Sequence, residues 1–537
     1  MRGADLLVQT LAAAGVSRIF SLSGNQIMPI YDACLEAGMP IIHVRHEAAA
    51  LYMAEAHAQL TGEVGVALVT AGAGAANALA PLLTAAQSET PVLLLSGDSP
   101  LAQDGTGAFQ EMDQVGMTAP LTKLSLRARD AAGLGEDIAR ALRVAASGRP
   151  GPVHVALPFD VVQQAAEGAA GPGPDAFAPV GIDLDPAAVA QILGAVARAD
   201  RPVVLCGPLL NPTRGGAVTS DLAGALDLPV VAMESPRGLN DPSLGAVRQV
   251  LARADLIVSL GKRIDFTLGF GSGAAAETTA WISVQPDTAE QDRARRNLGD
   301  RLVQTHKADP RAAARALTRA GGGGTARSDW RRQVAEMIAR RPAAADPGEV
   351  GDGSISPAQI CGAVARLLER SDGSVLIGDG GEFGQWAQAL LPARPRVING
   401  VSGAIGGGVG YGIAAALARP DATVVVMTGD GSLGFHLAEF ETAVRAGARL
   451  VVVVGNDRRW NAEHQIQLRD YGAERVIGCD LSGARYDLAA WALGGHGEFV
   501  TAAGELDAAL ARAVASGRAA CINVAMQGQP APAAPAH

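Results

Sequence analysis

Lysine is nearly missing from this chain of 537 residues: Lys123, Lys262 and Lys307 stand alone against many arginines, a bias we assign to genome composition rather than function. Strong charge is lacking too. A net charge of −10 is mild at this length and leaves no basic face for a nucleic acid. Long apolar runs are absent: 48% of residues are hydrophobic, yet no uninterrupted stretch approaches the ~20 residues of a membrane span, so a soluble globular protein with no membrane partner is expected. The five cysteines (Cys34, Cys206, Cys361, Cys479, Cys521) are scattered singly without a C-x-x-C pair, which implies neither a disulfide framework nor a zinc site. The opening residues carry one arginine, then Asp5, and no charged-apolar-small signal layout, from which a cytoplasmic location is expected.

What the chain has is length enough for about three domains, and two breaks in composition that divide it. Residues 165–179, rich in Gly, Ala and Pro, end a first block; the run Gly321-Gly322-Gly323-Gly324 and the polar stretch to 353 end a second. The expected domains are 1–165, 180–325 and 354–526, followed by a Pro/Ala-rich tail, 527–537, expected to be disordered. Each block alternates apolar strand-like runs with Ala/Leu-rich helical patterns, so the expected fold is α/β with three doubly wound parallel sheets.

The third block holds the most informative stretch, Gly429-Asp430-Gly431-Ser432, with Asn456 twenty-six residues after Asp430. An apolar β-branched run, 423–428, reads as a buried parallel strand; a helical pattern, 433–446, follows, and then a second strand-like run, 450–454, that stops at Gly455-Asn456-Asp457. Taken alone, Gly-Asp-Gly is a common turn former. One right-handed crossover, however, sets both strand ends on the same sheet edge, so Asp430 and Asn456 face each other there. A carboxylate, an amide oxygen and a backbone carbonyl make a hard oxygen set suited to Mg²⁺, and the glycines let backbone approach a diphosphate at a helix start.

In the first block, Arg45-His46-Glu47-Ala48-Ala49-Ala50 opens a helix, where a first-turn glutamate ordinarily does no more than complement the dipole. The next strand-like run, 64–70, leads into Ala71-Gly72-Ala73-Gly74-Ala75-Ala76-Asn77. That is a near miss to a dinucleotide fingerprint, because Asn77 replaces the third glycine and no acidic residue sits at the end of a following strand at the expected distance; a nicotinamide dehydrogenase is disfavoured.

Together, Glu47 and the Gly-Asp-Gly to Asn unit resemble the two halves of the site of thiamine diphosphate enzymes, whose motif runs Gly-Asp-Gly to Asn-Asn; here Asp457 stands at the second Asn. The resemblance covers nearly the whole chain. It is greatest to the acetolactate synthase and benzaldehyde lyase branch, on Arg45-His46-Glu47-Ala48-Ala49-Ala50, Ala108-Phe109-Gln110-Glu111-Met112-Asp113-Gln114, Pro120-Leu121-Thr122-Lys123 and Ala520-Cys521-Ile522-Asn523-Val524. It implies a pyrimidine-binding, a middle Rossmann-like and a diphosphate-binding domain, with thiamine diphosphate and Mg²⁺ as cofactors. By the same resemblance the metal ligands are Asp430, the Asn456 side chain and the Arg458 carbonyl. Glu47 would be the catalytic acid that bonds the pyrimidine and favours its imino tautomer. Ile405 would support the bent cofactor, the Gly403 carbonyl would take its amino group, and Thr70, Asn77, Gly381, Glu382, Phe383, Gly429, Gly431 and Ser432 would complete its cradle, residues 379–383 forming a second diphosphate wall. Gly406, Gly407, Gly408 and Gly410 serve helix packing, cofactor approach or both. The substrate pocket is expected from Ser23, Asn25, Gln26, Phe109, Gln110, Trp460 and His464, although a Trp and a His at helical spacing are more often core and surface.

Two departures matter. Benzaldehyde lyase has a histidine near its N-terminus where this chain has Ser23, and the adjacent His-His pair of pyruvate decarboxylases is missing. In the middle block, Gly261-Lys262-Arg263-Ile264-Asp265-Phe266 stands where relatives place FAD, ADP or nothing. Arg263 is expected to pair with Asp265 rather than hold a phosphate, and no flavin is expected. The expected activity is that of a carboligase/lyase making or breaking the bond beside a carbonyl through an enamine, with a 2-keto acid donor, pyruvate foremost, and an aldehyde or keto-acid acceptor. The rivals are a benzaldehyde lyase-like acyloin lyase, a 2-hydroxyacyl-CoA lyase or oxalyl-CoA decarboxylase type, and a non-catalytic binding protein of this fold. Since the half-sites fall in different blocks, the resemblance implies a homodimer or homotetramer with sites between subunits.

Overall fold

The computed structural model describes residues 1–321, 327–341, 354–391 and 395–532. Three parallel sheets follow one another along the chain, as the sequence leads one to expect. The first has six strands in the spatial order Ile41–His43, Ile19–Ser21, Gly65–Val69, Val92–Asp98, Val153–Pro158, Ser125–Arg127. The third has the same order of connection: Arg396–Ile398, Ser374–Gly378, Thr423–Gly429, Val451–Asn456, Ala520–Ala525, His496–Val500. Between them lies a five-stranded sheet, Leu302–Lys307, Ala280–Gln285, Leu256–Leu260, Pro202–Cys206, Val230–Ala232. Central strands such as Val451–Asn456 are buried along their whole length, which is why they read as unbroken Val-rich runs rather than alternating ones. In each sheet the connection reverses direction between the first and third strands in sequence, and the crevice at the carboxyl ends there is where open α/β sheets take ligands.

The first and third domains share one apolar core. At its centre the helix Glu47–Thr61 is buried from Glu47 to Leu60 and packs against the helix Gly408–Ala418, with Tyr52 and Tyr411 edge to face at 5.3 Å. Its small residues (Ala48, Ala49, Ala50, Ala54, Ala56) leave no polar stripe, as a helix enclosed on every side requires. Within this seam Glu55 is fully buried, taking hydrogen bonds from the Tyr411 hydroxyl at 2.8 Å, from Gln59 at 3.2 Å and from Ser88. Burial pushes its carboxyl up to about 7, against those hydrogen bonds.

Several expectations are revised by the structure. The helix expected over 433–446 is two short helices, Asp430–Leu433 and Glu439–Arg445, and Asn456 is the last residue of its strand rather than beyond it. The helix Ser328–Ala339, past the expected middle-domain boundary at 325, places Trp330, Val334 and Met337 in the middle core. Arg263 does not pair with Asp265; it reaches Gln87 at 2.8 Å and Glu290 at 3.6 Å, while Lys262 faces Asp265 at 3.9 Å. The tail expected to be disordered is hydrogen-bonded in part: Gln527 N donates to the Ile355 carbonyl, Asn461 Nδ2 to the Gln529 carbonyl and Ala531 N to Glu382. Its remainder, 533–537, and most of the expected second linker lie outside the described residues.

A buried histidine leads us to expect acid sensitivity in the first domain. His154 is fully enclosed, with Nε2 at 2.8 Å from Ser96 Oγ and Nδ1 at 2.9 Å from both Thr118 Oγ1 and Ser125 Oγ. Burial pushes its imidazole down to about 4. Between pH 6.5 and 4 the unfolded chain therefore binds a proton that the folded one refuses, so stability falls as pH falls through that window, by about 3 kcal/mol in full. Urea midpoints measured from pH 7 to 4.5 should drop more steeply for the wild type than for His154→Gln; equal slopes would refute the assignment.

Candidate active site

The third sheet's crevice is framed by two turns. One leaves the strand Ser374–Gly378 at Asp379, the other leaves Thr423–Gly429 at Asp430, and they meet where a Cβ on Gly381 would lie 3.9 Å from Ser432 Oγ. The helix Gly381–Leu390 starts here, turning its free N–H groups and positive dipole end toward any anion in the crevice.

Asp430 is 2% exposed and Asn456 5%. Asp430 Oδ1 accepts from Gly431 N at 3.0 Å, but Oδ2 has no partner among the described residues; Asn456 Nδ2 is doubly bonded, but Oδ1 has no partner among them either. Two buried oxygens left unpaired at one sheet edge cost free energy with nothing to offset it inside the protein, and both are acceptors. That is the donor set a hard divalent cation needs, so the residues present fit Mg²⁺. The Arg458 carbonyl, expected as the third ligand, sits in a left-handed residue (φ 60°) and already accepts from Leu481 N at 2.7 Å, leaving one lone pair. Among the described residues no cluster of three or more His, Cys, Asp or Glu could hold a metal, which leaves this mixed set as the candidate. Burial pushes the Asp430 carboxyl up to about 6, opposed by backbone N–H donors, and Asp457 up to about 7, Asp430 adding to the push.

Asp379 behaves differently from the expected phosphate wall. It is 1% exposed and turned inward, where Oδ1 accepts from Gly380 N, Gly406 N and Asn399 Nδ2, and Oδ2 from Gly408 N and Thr428 Oγ1. It therefore pins the loop that carries Gly403 and Ile405. The Ile405 side chain lies over Gly380, where any Cβ would come within 2.3 Å of it. Gly403 has φ 70° and open space around it. Phe383 contradicts its expected place in the cradle: it is 3% exposed, its ring packed beneath Gly455, so its side chain belongs to the core. Glu382 accepts from Ala531 N at 2.6 Å and stands 3.9 Å from Arg237. Trp460 covers Gly431, where a Cβ would meet its ring at 2.6 Å, and faces Phe435 edge-on. His464 keeps Nδ1 buried without a partner.

The first sheet's crevice holds a second cluster. Glu47 opens its helix behind His46, whose ring accepts from Ala48 N, and Glu47 Oε2 accepts from Asn77 Nδ2 at 3.0 Å. Gly74 stands beside Oε1, its missing Cβ 3.4 Å away. Thr70 Oγ1 donates to Gln26 at 2.7 Å, and Gln26 to Gln110, a left-handed residue, at 2.8 Å. Asn25 opens a short 3-10 turn and Phe109 is 73% exposed. Ser23 is not alone: its Oγ lies 3.1 Å from His43 Nε2, a histidine from the neighbouring strand that no local pattern would have found. Burial lowers the His43 imidazole, as do Arg445 and Arg45. Within one chain the Glu47 cluster and the Asp430 cluster share no hydrogen-bond partner.

The comparisons agree with this division. The thiamine pyrophosphate enzyme N-terminal TPP-binding domain matches residues 1–117, and the C-terminal TPP-binding domain matches residues 379–524. The chain is 34% identical to the acetolactate synthase large subunit of Mycobacterium tuberculosis, over 98% of this chain and 95% of that protein. It is 30% identical to 2-hydroxyacyl-CoA lyase 2 of Homo sapiens (92% and 84%) and 31% identical to the acetolactate synthase large subunit of Parasynechococcus marenigrum (91% and 81%).

If Asp430 is buried for a cation, it burdens the cation-free protein. Asp430→Asn should raise the thermal stability of the apo chain by on the order of 1 to 3 kcal/mol while abolishing Mn²⁺ uptake in the presence of thiamine diphosphate. Unchanged Mn²⁺ uptake, followed by its paramagnetic resonance, would rule the residue out as a ligand.

Proposed function

The chain belongs to the thiamine pyrophosphate enzyme family, and on that premise we propose that it is a Mg²⁺-dependent carboligase/lyase acting on 2-keto acids, with pyruvate as donor and an aldehyde or second keto acid as acceptor. The observation that carries the reading is the pair of unpaired buried oxygens, Asp430 Oδ2 and Asn456 Oδ1, at the third sheet's crevice. The similarity to two acetolactate synthase large subunits supports the keto-acid donor.

When bound, thiamine diphosphate supplies an acidic ring carbon that adds to a carbonyl and an electron sink for the bond that then breaks. The residues around it have separate tasks. Asp430, Asn456 and the Arg458 carbonyl hold the cation, and the start of the helix Gly381–Leu390 meets the diphosphate. Asp379 fixes the loop on which Ile405 supports the cofactor. Asn77 takes Glu47 Oε2 and so turns Oε1 to the pyrimidine, where the carboxyl holds and returns a proton. Gln26, Gln110, Phe109, Ser23 with His43, and Asn25 line the side of the first sheet; Trp460 and His464 close the side of the third and exclude water.

A second reading has an observation of its own. The similarity to human 2-hydroxyacyl-CoA lyase 2 favours cleavage of a 2-hydroxyacyl thioester at the same site. Incubation with thiamine diphosphate, Mg²⁺ and pyruvate should release CO₂ and form 2-acetolactate; no CO₂, with cleavage of 2-hydroxyacyl-CoA instead, would replace the first reading by the second. Under either, Glu47→Gln should lower turnover by about 100-fold or more while leaving Mn²⁺ uptake intact. Retained turnover would sink the mechanism.

The placement of the Glu47 and Asp430 clusters on different sheets, with no hydrogen-bond partner shared among the described residues, supports a homodimer or a homotetramer built from it, each subunit completing its partner's site. Sedimentation of the active protein should give a dimer or larger, and full activity from a concentration-independent monomer would contradict it.

A further inference from the structure

Asn523 is fully buried in the strand Ala520–Ala525, between Ile522 and Val524. An amide in such a place is costly unless each of its polar atoms is paired, and here each is. Its Nδ2 donates to Asp487 Oδ1 at 3.1 Å and to the Ala484 carbonyl at 3.2 Å, while its Oδ1 accepts from Asn456 Nδ2 at 3.0 Å. Asn456 Nδ2 also donates to the Ala484 carbonyl, at 3.1 Å. Asp487, itself 2% exposed, is held by Arg485 through contacts of 2.7 and 2.9 Å.

The direction of the chain of bonds follows from which groups can donate. A backbone carbonyl only accepts, and a carboxylate paired with arginine only accepts. Asn523 must therefore turn its NH₂ toward Ala484 and Asp487 and its oxygen toward Asn456. Asn456 in turn can place its NH₂ only between Asn523 Oδ1 and the Ala484 carbonyl. Its own oxygen is left pointing the other way, buried and without a partner. An amide free to rotate by half a turn would present NH₂ at the same spot about as readily as oxygen, and NH₂ repels a cation.

We propose that Asn523 and Asp487 are positioning residues that lock the Asn456 amide with Oδ1 facing the divalent cation of the diphosphate site. The inference rests on the reading of Asp430 and Asn456 as cation ligands and deepens it. Neither residue touches the cation; each acts through the one before it, Asp487 orienting Asn523 and Asn523 orienting Asn456, in the way outer groups orient metal ligands generally.

The test is a Mn²⁺ titration of the full-length protein with thiamine diphosphate, read by paramagnetic resonance, alongside the thermal midpoint of the apo protein. Asn523→Leu removes the acceptor for Asn456. Asp487→Asn keeps the volume but removes the acceptor-only group that sets the direction, so it decides the matter if the leucine variant does not fold. Both should weaken Mn²⁺ binding by about 10- to 100-fold, and excess Mn²⁺ should restore the cofactor-induced quenching of tryptophan fluorescence, which a damaged fold would not regain. Binding within about twofold of wild type in the folded variants would overturn the inference while leaving the cation site standing. Failure of the wild type to take up Mn²⁺ would instead overturn the cation reading, and this inference with it.

Discussion

Enclosure of the helix Glu47–Thr61 on all sides is the constraint from which the rest of the molecule follows. Its alanines bring the first domain close enough to the helix Gly408–Ala418 for the two domains to share one core. Glu47 begins the first helix, and the loop with Gly403 and Ile405 runs directly into the second. The seam is reinforced beside the site, where Arg45 N donates to Glu439 at 2.9 Å and the His436 ring, bonded to the Gly406 carbonyl at 2.7 Å, stands edge-on to His46. A shift of the helix would therefore move Glu47 and the loop of Gly403 and Ile405 together.

Rigidity at the third sheet's crevice has a different origin. Asp379 gathers five donors from four segments of chain, so the turn after Ser374–Gly378, the loop at 406–408 and the strand end at Thr428 are tied to a single carboxylate. Charge is spread there over fixed dipoles, and both carboxylate oxygens of Asp379 are paired. Asp430, one strand over, shows the opposite arrangement, with one oxygen satisfied and one bare. Two aspartates at neighbouring strand ends thus differ, one with both oxygens paired within the fold and one with an oxygen left bare.

How far the sequence discloses this depends on distance along the chain. Asp430 and Asn456 are legible because one crossover sets both, and the crossover is local. The layering into three parallel sheets is legible for the same reason, apolar strand-like runs alternating with helical patterns along the chain. Phe383 and Asp379 mislead because a motif names residues without saying which way they turn, and it is packing against Gly455 and the glycine amides that decides it. Ser23 looks like a lost histidine until His43 arrives from an adjacent strand. Asn523 is 67 residues from the Asn456 amide it bonds, in a run of apolar neighbours with nothing local to mark it. The break of the helix expected over 433–446 comes from tertiary demands: His436 turns to the Gly406 carbonyl and Phe435 packs where Gly406 leaves room.

The middle sheet shows what becomes of the same topology when its crevice is filled from within. Its connection reverses between Pro202–Cys206 and Leu256–Leu260, where a ligand would be expected by the rule that serves the other two sheets. The first domain sends two side chains there instead. Glu89 accepts from Leu209 N, occupying an N–H a phosphate would seek, and pairs with Arg149. Arg149 then donates to the Gly261 carbonyl at 3.0 Å, Gln285 at 2.6 Å and Asp287 at 2.8 Å, covering the ends of two further strands. An anion and a cation of the chain's own thus stand at the switch point, and the crevice becomes a joint between domains. Because Glu89 follows directly on Ser88, which bonds Glu55 in the buried seam, the joint is continuous with the enclosure of the helix that bears Glu47.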